Sequence, residues 1–485
     1  MENAVFSGAS ALQDFLDPSN HITPLVELPP HLNPYYEDGV CIFLKLQTFL
    51  PLGNIKSISA RGMLKKLQDE GQCEKTHTIV ENSSGNTAFS LAVLGRTLGI
   101  SRMRARVSNE ITRGKLQLLQ LFGVQPVVNQ EQICPNPNDR KSGIYKAQSE
   151  GTQCGWYNPD QYHNPANPEI HYQLTGQQIW KQILTLDTSY NFQFFCAGLG
   201  TTGTFIGITK YLKEQNPDFI ALGVVRKPNN PIPGPRTLHL LQQIGFDWKN
   251  YVDDLQEVSS KQAYETSLQL IRSGLVVGPS SGMALAGLFA QLQKMKTEGS
   301  LLQKKKKNQK ISAVVICPDG PYVYLEEYMK YCDPKAFPDI LNQDLLLEKY
   351  EEMSMEQNDT LQITCQDAFQ HCYTPQSREK YKQTQYIPDL ILAPEYVAID
   401  LRTQESFEHV HLQGFQCLPL DKLQLSDFPP YRSKKILLLC SYGKQSAYLA
   451  SKLHNIGYDV VSITGGLAEW SDENLPRISS QECSL

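Results

Sequence analysis

The chain has 485 residues, of which 41% are hydrophobic and 20% are charged, and its formal net charge is −5. This length exceeds what one compact core organises, so two or three domains are expected. The slight acidity gives no general attraction to nucleic acid or anionic membranes, and no apolar run reaches the roughly 18 residues that span a bilayer. The 12 cysteines form no Cys-x-x-Cys pair, which argues against a metal site and favours a reducing cytoplasm.

Short apolar strands alternate with amphipathic helices from about residue 22 to residue 333. This alternation predicts parallel strands joined by crossover helices, an α/β layered fold. Three predicted strand–helix pairs are 40–46 with 60–68, 78–80 with 87–98, and 192–197 with 203–213. Further strands are predicted at 219–225, 275–278 and 313–317.

Residues 334–360 are acidic and contain methionine, with helical character at 345–355, and are predicted to be a linker. A second, smaller α/β pattern follows the linker. Its predicted strands are 398–401, 435–440 and 460–463, and its predicted helix is 446–456.

A loop of glycine and threonine, Gly198-Leu-Gly-Thr-Thr-Gly-Thr204, connects the strand at 192–197 to a helix. Glycines let the backbone approach a ligand closely, while the inward N–H groups and the threonine hydroxyls supply hydrogen-bond donors. Such a loop can hold a phosphate monoester without a metal. The candidate phosphate-binding residues are Gly200, Thr201, Thr202, Gly203 and Thr204.

Three other segments complete a pattern typical of a pyridoxal 5'-phosphate site, which needs an amine and partners for the ring. Lys56 lies in a Gly/Asn loop just before a predicted helix, Asn86 ends an Asn/Ser turn, and Ser280 follows a strand. Each segment alone is also compatible with an ordinary surface lysine or a helix cap. Lys45, on an apolar strand, is the competing amine.

These segments resemble the cysteine synthases and cystathionine β-synthases, pyridoxal-phosphate enzymes of fold type II with the two-lobed, tryptophan synthase β-like α/β fold. The resemblance spans residues 15–333. It rests on Thr23-Pro-Leu-Val26, Ser83-Ser-Gly-Asn-Thr-Ala88, Gln161-Tyr-His-Asn-Pro-Ala-Asn-Pro168 with His171 and Thr175-Gly176, and Pro318-Asp319.

The resemblance implies that Lys56 forms the Schiff base and takes the substrate α-proton, and that Asn86 meets the ring hydroxyl. Ser280 would meet the pyridine nitrogen, and a serine there is expected to leave that nitrogen largely unprotonated. The substrate carboxylate would be held by Ser83, Ser84, Thr87 and Gln161. A homodimer is also implied.

Several residues that the resemblance places beside the substrate depart from the family pattern. Ser57-Ile58 replaces the usual Asp-Arg after the lysine, and Ala88 replaces a glycine. The segment 231–246 does not match the acetylserine-type specificity loop. Within this segment, Arg236 either binds the phosphate group of phosphoserine or is a solvated loop arginine.

Cys440 ends a predicted strand and precedes Ser441-Tyr-Gly-Lys-Gln-Ser446, which opens a helix. Inward N–H groups and the helix end favour a thiolate or persulfide there; the alternative is a buried structural cysteine. Residues 361–478 resemble a rhodanese-like domain through Asp400-x-Arg402, the cysteine loop and Gly465-Gly466 with Trp470. By that resemblance Cys440 is catalytic and carries sulfane sulfur, although Gln445 stands where an arginine is often found.

The sequence therefore predicts an enzyme that replaces the β-substituent of O-acetylserine or O-phosphoserine with a sulfur nucleophile, forming cysteine or a relative. The rhodanese-like domain would act as a sulfurtransferase. Its partners would be a small amino-acid substrate and a sulfur donor. The alternatives are cysteine desulfuration, formation of cystathionine or diaminopropionate, and a catalytically silent binding protein.

Overall fold

The computed structural model describes residues 5–131, 135–136, 139–242, 244–305, 308–341, 361–423 and 428–479. Two compact units divide the chain, the first ending at Phe337 and the second beginning at Pro338. The predicted linker helix at 345–355 lies outside the described residues.

The first unit contains two sheets. A six-stranded sheet has the order β1-β2-β10-β7-β8-β9, with only β1 antiparallel to its neighbour. A four-stranded parallel sheet has the order β5-β4-β3-β6. The strands are β1 Leu25–Glu27, β2 Val40–Leu46, β3 Thr78–Asn82, β4 Arg102–Ser108, β5 Val124–Asn129, β6 Trp156–Tyr157, β7 Tyr190–Gly198, β8 Ile220–Arg226, β9 Asp254–Val258 and β10 Lys310–Cys317.

Helices connect and cover these strands, as the alternating pattern predicts. They are α1 Ala11–Leu16, α2 Lys56–Asp69, α3 Asn86–Thr97, α4 Arg113–Leu121, α5 Gly143–Gly151, α6 Ala166–Ile170, α7 Gln177–Ile183, α8 Gly203–Gln215, α9 Leu238–Leu241, α10 Ser260–Arg272, α11 Pro279–Thr297, α12 Ser300–Gln303 and α13 Leu325–Tyr331. A π-helical turn, His171–Gly176, joins α6 to α7.

The central strands of the large sheet are largely apolar because helices cover both faces. Every residue of β2 is buried, and β10 is buried after its first residue. The mixed α/β fold is thus as predicted. The predicted strand 275–278 is wrong: this segment has no strand pairing and leads directly into α11.

The second unit has a five-stranded parallel sheet of order β11-β16-β15-β12-β14 and a small antiparallel pair, β13-β17. Its strands are β11 Gln362–Ile363, β12 Tyr396–Asp400, β13 Val410–His411, β14 Gln416–Cys417, β15 Lys435–Leu439, β16 Val460–Ile463 and β17 Ile478–Ser479. Its helices are α14 Cys365–Cys372, α15 Pro375–Thr384, α16 Gln404–His409, α17 Lys444–Asn455 and α18 Gly466–Asp472. Across the described part of the chain, none of the helices is long and apolar enough to cross a bilayer.

Helix α8 packs against α6 and the π-helical turn so closely that Gly207 has no room for a side chain. A Cβ there would collide with the carbonyl oxygen of Pro168 and lie 2.8 Å from Cβ of His171. We expect Gly207→Ala to lower the free energy of unfolding of the first unit by about 1–3 kcal/mol.

Gly114→Ala in α4 is the matched control, because a Cβ there meets no atom within 4 Å. It should leave stability unchanged or raise it slightly. Calorimetric unfolding of both variants measures the difference, and equal melting temperatures would contradict the packing argument.

Candidate functional site

A cavity of about 540 Å³ lies in the first unit where strands of both sheets end. Asn82 and Ser108, at the carboxyl ends of β3 and β4, line it from the smaller sheet. Gly198 and Arg226, at the ends of β7 and β8, line it from the larger one. Ligands of open α/β sheets bind at this edge.

Lys56 projects into this cavity from the first turn of α2. Its Nζ lies 3.4 Å from Oγ1 of Thr201. Burial lowers the pKa of the Lys56 amine to about 8, against the opposing effect of the negative charges of Asp319 and Glu81. An amine with this pKa is available in its neutral, nucleophilic form close to neutral pH.

Lys45, the competing amine, is not part of the cavity wall. It is fully buried in β2, and its Nζ donates to the carbonyl oxygen of Thr23 at 2.7 Å. Oε1 of Gln182 and Oε1 of Gln178 accept at 2.8 and 3.3 Å. These three oxygens enclose the amine, so the geometry favours Lys56.

The glycine–threonine loop connects β7 to α8. Gly200, Thr201 and Thr204 line the cavity, whereas Thr202 and Gly203 are buried within the loop and are not part of its wall. A Cβ at Gly200 would lie 2.7 Å from the carbonyl oxygen of Gly234, so only glycine fits there. Thr202 adopts a left-handed conformation, φ 69°, that turns the chain into the helix.

His171 supports this loop from behind, a role that the sequence analysis did not assign. Its Nε2 lies 3.1 Å from both Oγ1 of Thr204 and Oγ of Ser59, and its Nδ1 lies 2.9 Å from Oγ1 of Thr175. Burial, together with the charge of Lys56, lowers the pKa of His171 to about 3. The ring is therefore neutral, and it fixes Thr204 by hydrogen bonding rather than by charge.

The candidate carboxylate-binding residues come together, since Ser83, Ser84, Thr87 and Gln161 all line the cavity. Oγ1 of Thr87 donates to Oε1 of Gln161 at 2.9 Å, and Nε2 of Gln161 donates to the carbonyl oxygen of Asn82 at 2.9 Å. Because α3 begins at Asn86, its first N–H groups also face this loop.

Asn86, Ser280 and Asp319 also line the cavity. Nδ2 of Asn86 donates to Oδ2 of Asp319 at 2.7 Å, and the hydroxyl of Tyr324 donates to the same oxygen at 2.6 Å. In the sequence, Asp319 stands out only as part of the Pro318-Asp319 motif. A carboxylate two residues after a largely apolar parallel strand was the signal that could have marked it.

Arg236 is a buried residue of the cavity, only 2% exposed, and not a solvated loop arginine. Its Nη1 donates to the carbonyl oxygen of Pro135 at 3.4 Å, and its guanidinium lies 5.2 Å from the ring centre of Tyr162. Its Nη2 has no hydrogen-bond partner within the described ranges, and no described carboxylate pairs with it. A buried, unpaired guanidinium is costly unless an anion binds to it.

Cys440 lies in the second unit, between β15 and α17, and is 2% exposed. The backbone N–H of Ser446 donates to its Sγ at 3.4 Å, and Oγ of Ser446 lies 3.3 Å from that sulfur. A Cβ at Gly466 would collide with the carbonyl oxygen of Cys440, so the loop packs tightly on the Gly-Gly turn. Asp400 and Arg402 form a buried ion pair at 2.7 Å on the neighbouring strand end.

The residues of the first cavity fit pyridoxal phosphate. Buried polar atoms without a partner in the described part of the chain remain around the glycine–threonine loop and Ser280. They are Oγ1 of Thr202, Oδ1 of Asn167, Oγ of Ser281 and Oδ1 of Asp319. With the Lys56 amine beside the loop, the cavity fits the cofactor of a pyridoxal-phosphate enzyme.

Comparison with known protein families agrees with a pyridoxal-phosphate cofactor. Residues 16–302 match the pyridoxal-phosphate dependent enzymes, and the chain belongs to this family. Residues 383–473 match the rhodanese-like domain. The predicted fold class, cofactor and enzymatic nature are confirmed: the chain is a pyridoxal-phosphate dependent enzyme similar to cysteine synthases and cystathionine β-synthases.

Cysteine synthase B of Salmonella typhimurium is 30% identical over 267 residues, which cover 55% of this chain and 83% of that protein. Cystathionine beta-synthase of Saccharomyces cerevisiae is 30% identical over 264 residues, 51% of each chain. The crystal structure of cysteine synthase from Entamoeba histolytica shares the fold. Its TM-score is 0.55 at 20% identity, covering 69% of this chain and 94% of that one.

The lowered pKa of Lys56 predicts how its reactivity depends on pH. Only the neutral amine reacts with acetic anhydride, so the labelling rate at Lys56 in the cofactor-free protein should rise to about pH 8 and then level off. Mass spectrometry of timed samples measures the rate at each lysine. A rate that still climbs through pH 10, as for an ordinary amine of pKa about 10.4, would contradict the burial argument.

Proposed function

We propose that the first unit catalyses β-replacement on an O-activated serine, in which a sulfur nucleophile takes the place of the β-substituent. The product is cysteine or a related amino acid. The main observation in support is the buried amine of Lys56, with a pKa of about 8, between the glycine–threonine loop and a hydroxyl-rich turn. Relatives that are cysteine synthases point in the same direction.

Pyridoxal phosphate, when bound, supplies an electron sink that weakens the bonds at the substrate α-carbon. In this proposal Lys56 attaches the cofactor. Asn86 contacts the ring hydroxyl, and Ser280 contacts the ring nitrogen. The phosphate is held by the loop from Gly200 through Thr201, Thr202 and Gly203 to Thr204.

The substrate carboxylate is bound by the hydroxyl-rich turn and by Gln161. Ser83 and Ser84 donate their hydroxyl hydrogens to the α-carboxylate, and Thr87 donates its backbone N–H, because its hydroxyl hydrogen is bound to Oε1 of Gln161. Nε2 of Gln161 donates one hydrogen to the carbonyl oxygen of Asn82 and has a second hydrogen for the carboxylate. The amine of Lys56 then accepts the α-proton, because its lowered pKa keeps a large share of it neutral near pH 8.

Arg236 favours O-phosphoserine over O-acetylserine as the substrate. Its guanidinium is buried, lines the cavity and lacks an anionic partner in the described segments, so a phosphate leaving group would complete its pairing. An acetyl ester is neutral and offers no such charge. A charge-assisted hydrogen bond of this kind is worth about 1.5–3 kcal/mol.

The second unit is proposed to carry sulfane sulfur on Cys440. Its thiolate attacks the outer sulfur of thiosulfate, forming a persulfide and releasing sulfite. Two thiol equivalents then reduce the persulfide to sulfide and end as a disulfide, which balances the electrons. The backbone N–H of Ser446 donates to the Cys440 sulfur at 3.4 Å, and this contact supports placing the transferred sulfur here. A cytoplasmic homodimer remains a prediction from the family resemblance.

Substitution of Arg236 tests which leaving group the site recognises. In protein loaded with pyridoxal phosphate, Arg236→Met should raise KM for O-phosphoserine about 10- to 100-fold, because one charge-assisted contact is lost. KM for O-acetylserine should change less than about 3-fold, and Arg236→Lys should restore part of the difference. Sulfide-dependent cysteine formation measures both substrates.

Three results would contradict this assignment. If Arg236→Met no longer holds the cofactor, Arg236 binds the cofactor phosphate instead. If the substitution weakens the binding of both serine esters equally, Arg236 does not recognise the leaving group. If the loaded wild-type protein uses neither ester but releases pyruvate and sulfide from cysteine, the reaction is desulfuration.

Substitution of Cys440 tests the sulfur-carrying role. Cys440→Ser should reduce transfer of sulfur from thiosulfate to cyanide by at least about 100-fold, since the nucleophile is removed. Cys417→Ser is the matched control, because Cys417 ends β14 in the same sheet but is not in the loop. Cysteine formation from free sulfide should be unchanged in both variants. Equal thiocyanate production by Cys440→Ser and wild type would refute the role.

A further inference from the structure

Arg226 is a second buried arginine of the cavity in the first unit. It is the last residue of β8, lines the cavity and is 9% exposed. Within the described ranges, no carboxylate forms an ion pair with it. Its guanidinium donates to the backbone instead, from Nε to the carbonyl oxygen of Pro235 at 3.2 Å and from Nη1 to that of Asn230 at a longer 3.5 Å. Arg226 therefore contacts two points of the chain that leads from β8 to Arg236.

This connecting chain, residues 227–235, is here called the proline segment, and it is stiff. Proline fixes φ at about −65° and leaves few backbone conformations, and the segment contains Pro228, Pro231, Pro233 and Pro235. Ser260 holds its middle: the backbone N–H donates to Oδ1 of Asn230 and the hydroxyl donates to the carbonyl oxygen of Pro231, each at 3.0 Å. Because the segment is stiff, contacts at Asn230 and Pro235 also restrict the residue that follows, which is Arg236.

The backbone of Arg236 is held firmly, whereas its side chain is not. Its N–H donates to the carbonyl oxygen of Leu199 at 2.8 Å, and its carbonyl oxygen accepts from the N–H of Arg226 at 3.1 Å. In the described part of the chain, its guanidinium makes one long hydrogen bond, 3.4 Å to the carbonyl oxygen of Pro135, and Nη2 has no partner. The direction of the guanidinium therefore depends mainly on the backbone that carries it.

We infer that Arg226 is a positioning residue that fixes the proline segment and so directs the guanidinium of Arg236 toward the phosphate leaving group. This inference rests on the proposed function, in which Arg236 recognises O-phosphoserine. A guanidinium that is already in place loses less conformational entropy when it binds an anion than a mobile one does. Arg226 thus increases the preference for a phosphate ester through Arg236.

The test is a double-substitution experiment on the full-length protein loaded with pyridoxal phosphate. The probe is inorganic phosphate, titrated and followed by ³¹P NMR. Arg226→Met should weaken phosphate binding about 5- to 20-fold, within the coupling range of residues in contact. In protein that already carries Arg236→Met, the same substitution should weaken binding less than about 2-fold, because Arg226 acts through Arg236. KM for O-phosphoserine should rise with the phosphate Kd, and more than KM for O-acetylserine.

Lys227→Met is the matched control, because it removes one positive charge from the next residue, whose side chain is exposed. It should change phosphate affinity less than about 2-fold, since charges in water are screened. If Arg226→Met does not fold, Arg226→Gln supports the same comparison, because it retains one amide donor but lacks the forked guanidinium.

Equal weakening by Arg226→Met in both backgrounds would overturn the inference and show that Arg226 binds the phosphate itself. An unchanged affinity in the wild-type background, or loss of the cofactor from both Arg226 variants, would overturn it as well. So would loaded wild-type protein that does not bind phosphate. Wild-type protein that binds phosphate but uses neither serine ester would instead contradict the proposed function, and the phosphate comparison would still decide the role of Arg226.

Discussion

The residues that follow β10 make hydrogen bonds that fix the relative positions of the segments forming the candidate site. The carbonyl oxygen of Pro318 accepts from the N–H of Ile55 at 2.7 Å, and that of Asp319 accepts from the N–H of Gly278 at 2.8 Å. The carboxylate of Asp319 accepts from Asn86 at 2.7 Å. These bonds join three distant segments, each of which supplies one candidate cofactor residue. The relative positions of the amine and both ring partners therefore depend on one strand end.

The cavity keeps polar groups that the described protein atoms do not satisfy, among them Nη2 of Arg236, the hydroxyl of Tyr264 and Oδ1 of Asp319. Each unsatisfied buried group costs stability, and the cost is recovered only when a ligand pairs with it. Binding energy is thus coupled to folding, because a ligand that binds only the folded chain stabilises it. The residues of the site are already in position before a ligand binds. Some of their buried polar groups gain a hydrogen-bond partner only from that ligand.

Much of the fold and of the cofactor constellation could be predicted because the signals are local. Glycines and threonines between a strand and a helix indicate a phosphate loop wherever they occur. The burial of Arg236 could not be predicted, since it depends on contacts such as that with Pro135, 101 residues away. The contact between Asn86 and Asp319 spans 233 residues and leaves no local pattern. The apolar segment 275–278 was predicted as a strand because periodicity cannot distinguish a buried connection from a paired strand.

The enclosed amine of Lys45 has a consequence for the folding reaction itself. Burial lowers its pKa to about 7, and that of Lys56 to about 8, from an ordinary value of about 10.4. Between about pH 8 and pH 10 the unfolded chain therefore holds protons on both lysines that the folded chain does not. Formation of the first unit releases these protons to the solvent. The two lysines accordingly contribute more to the stability of the cofactor-free fold as the pH rises across that interval, until both amines are neutral in either state.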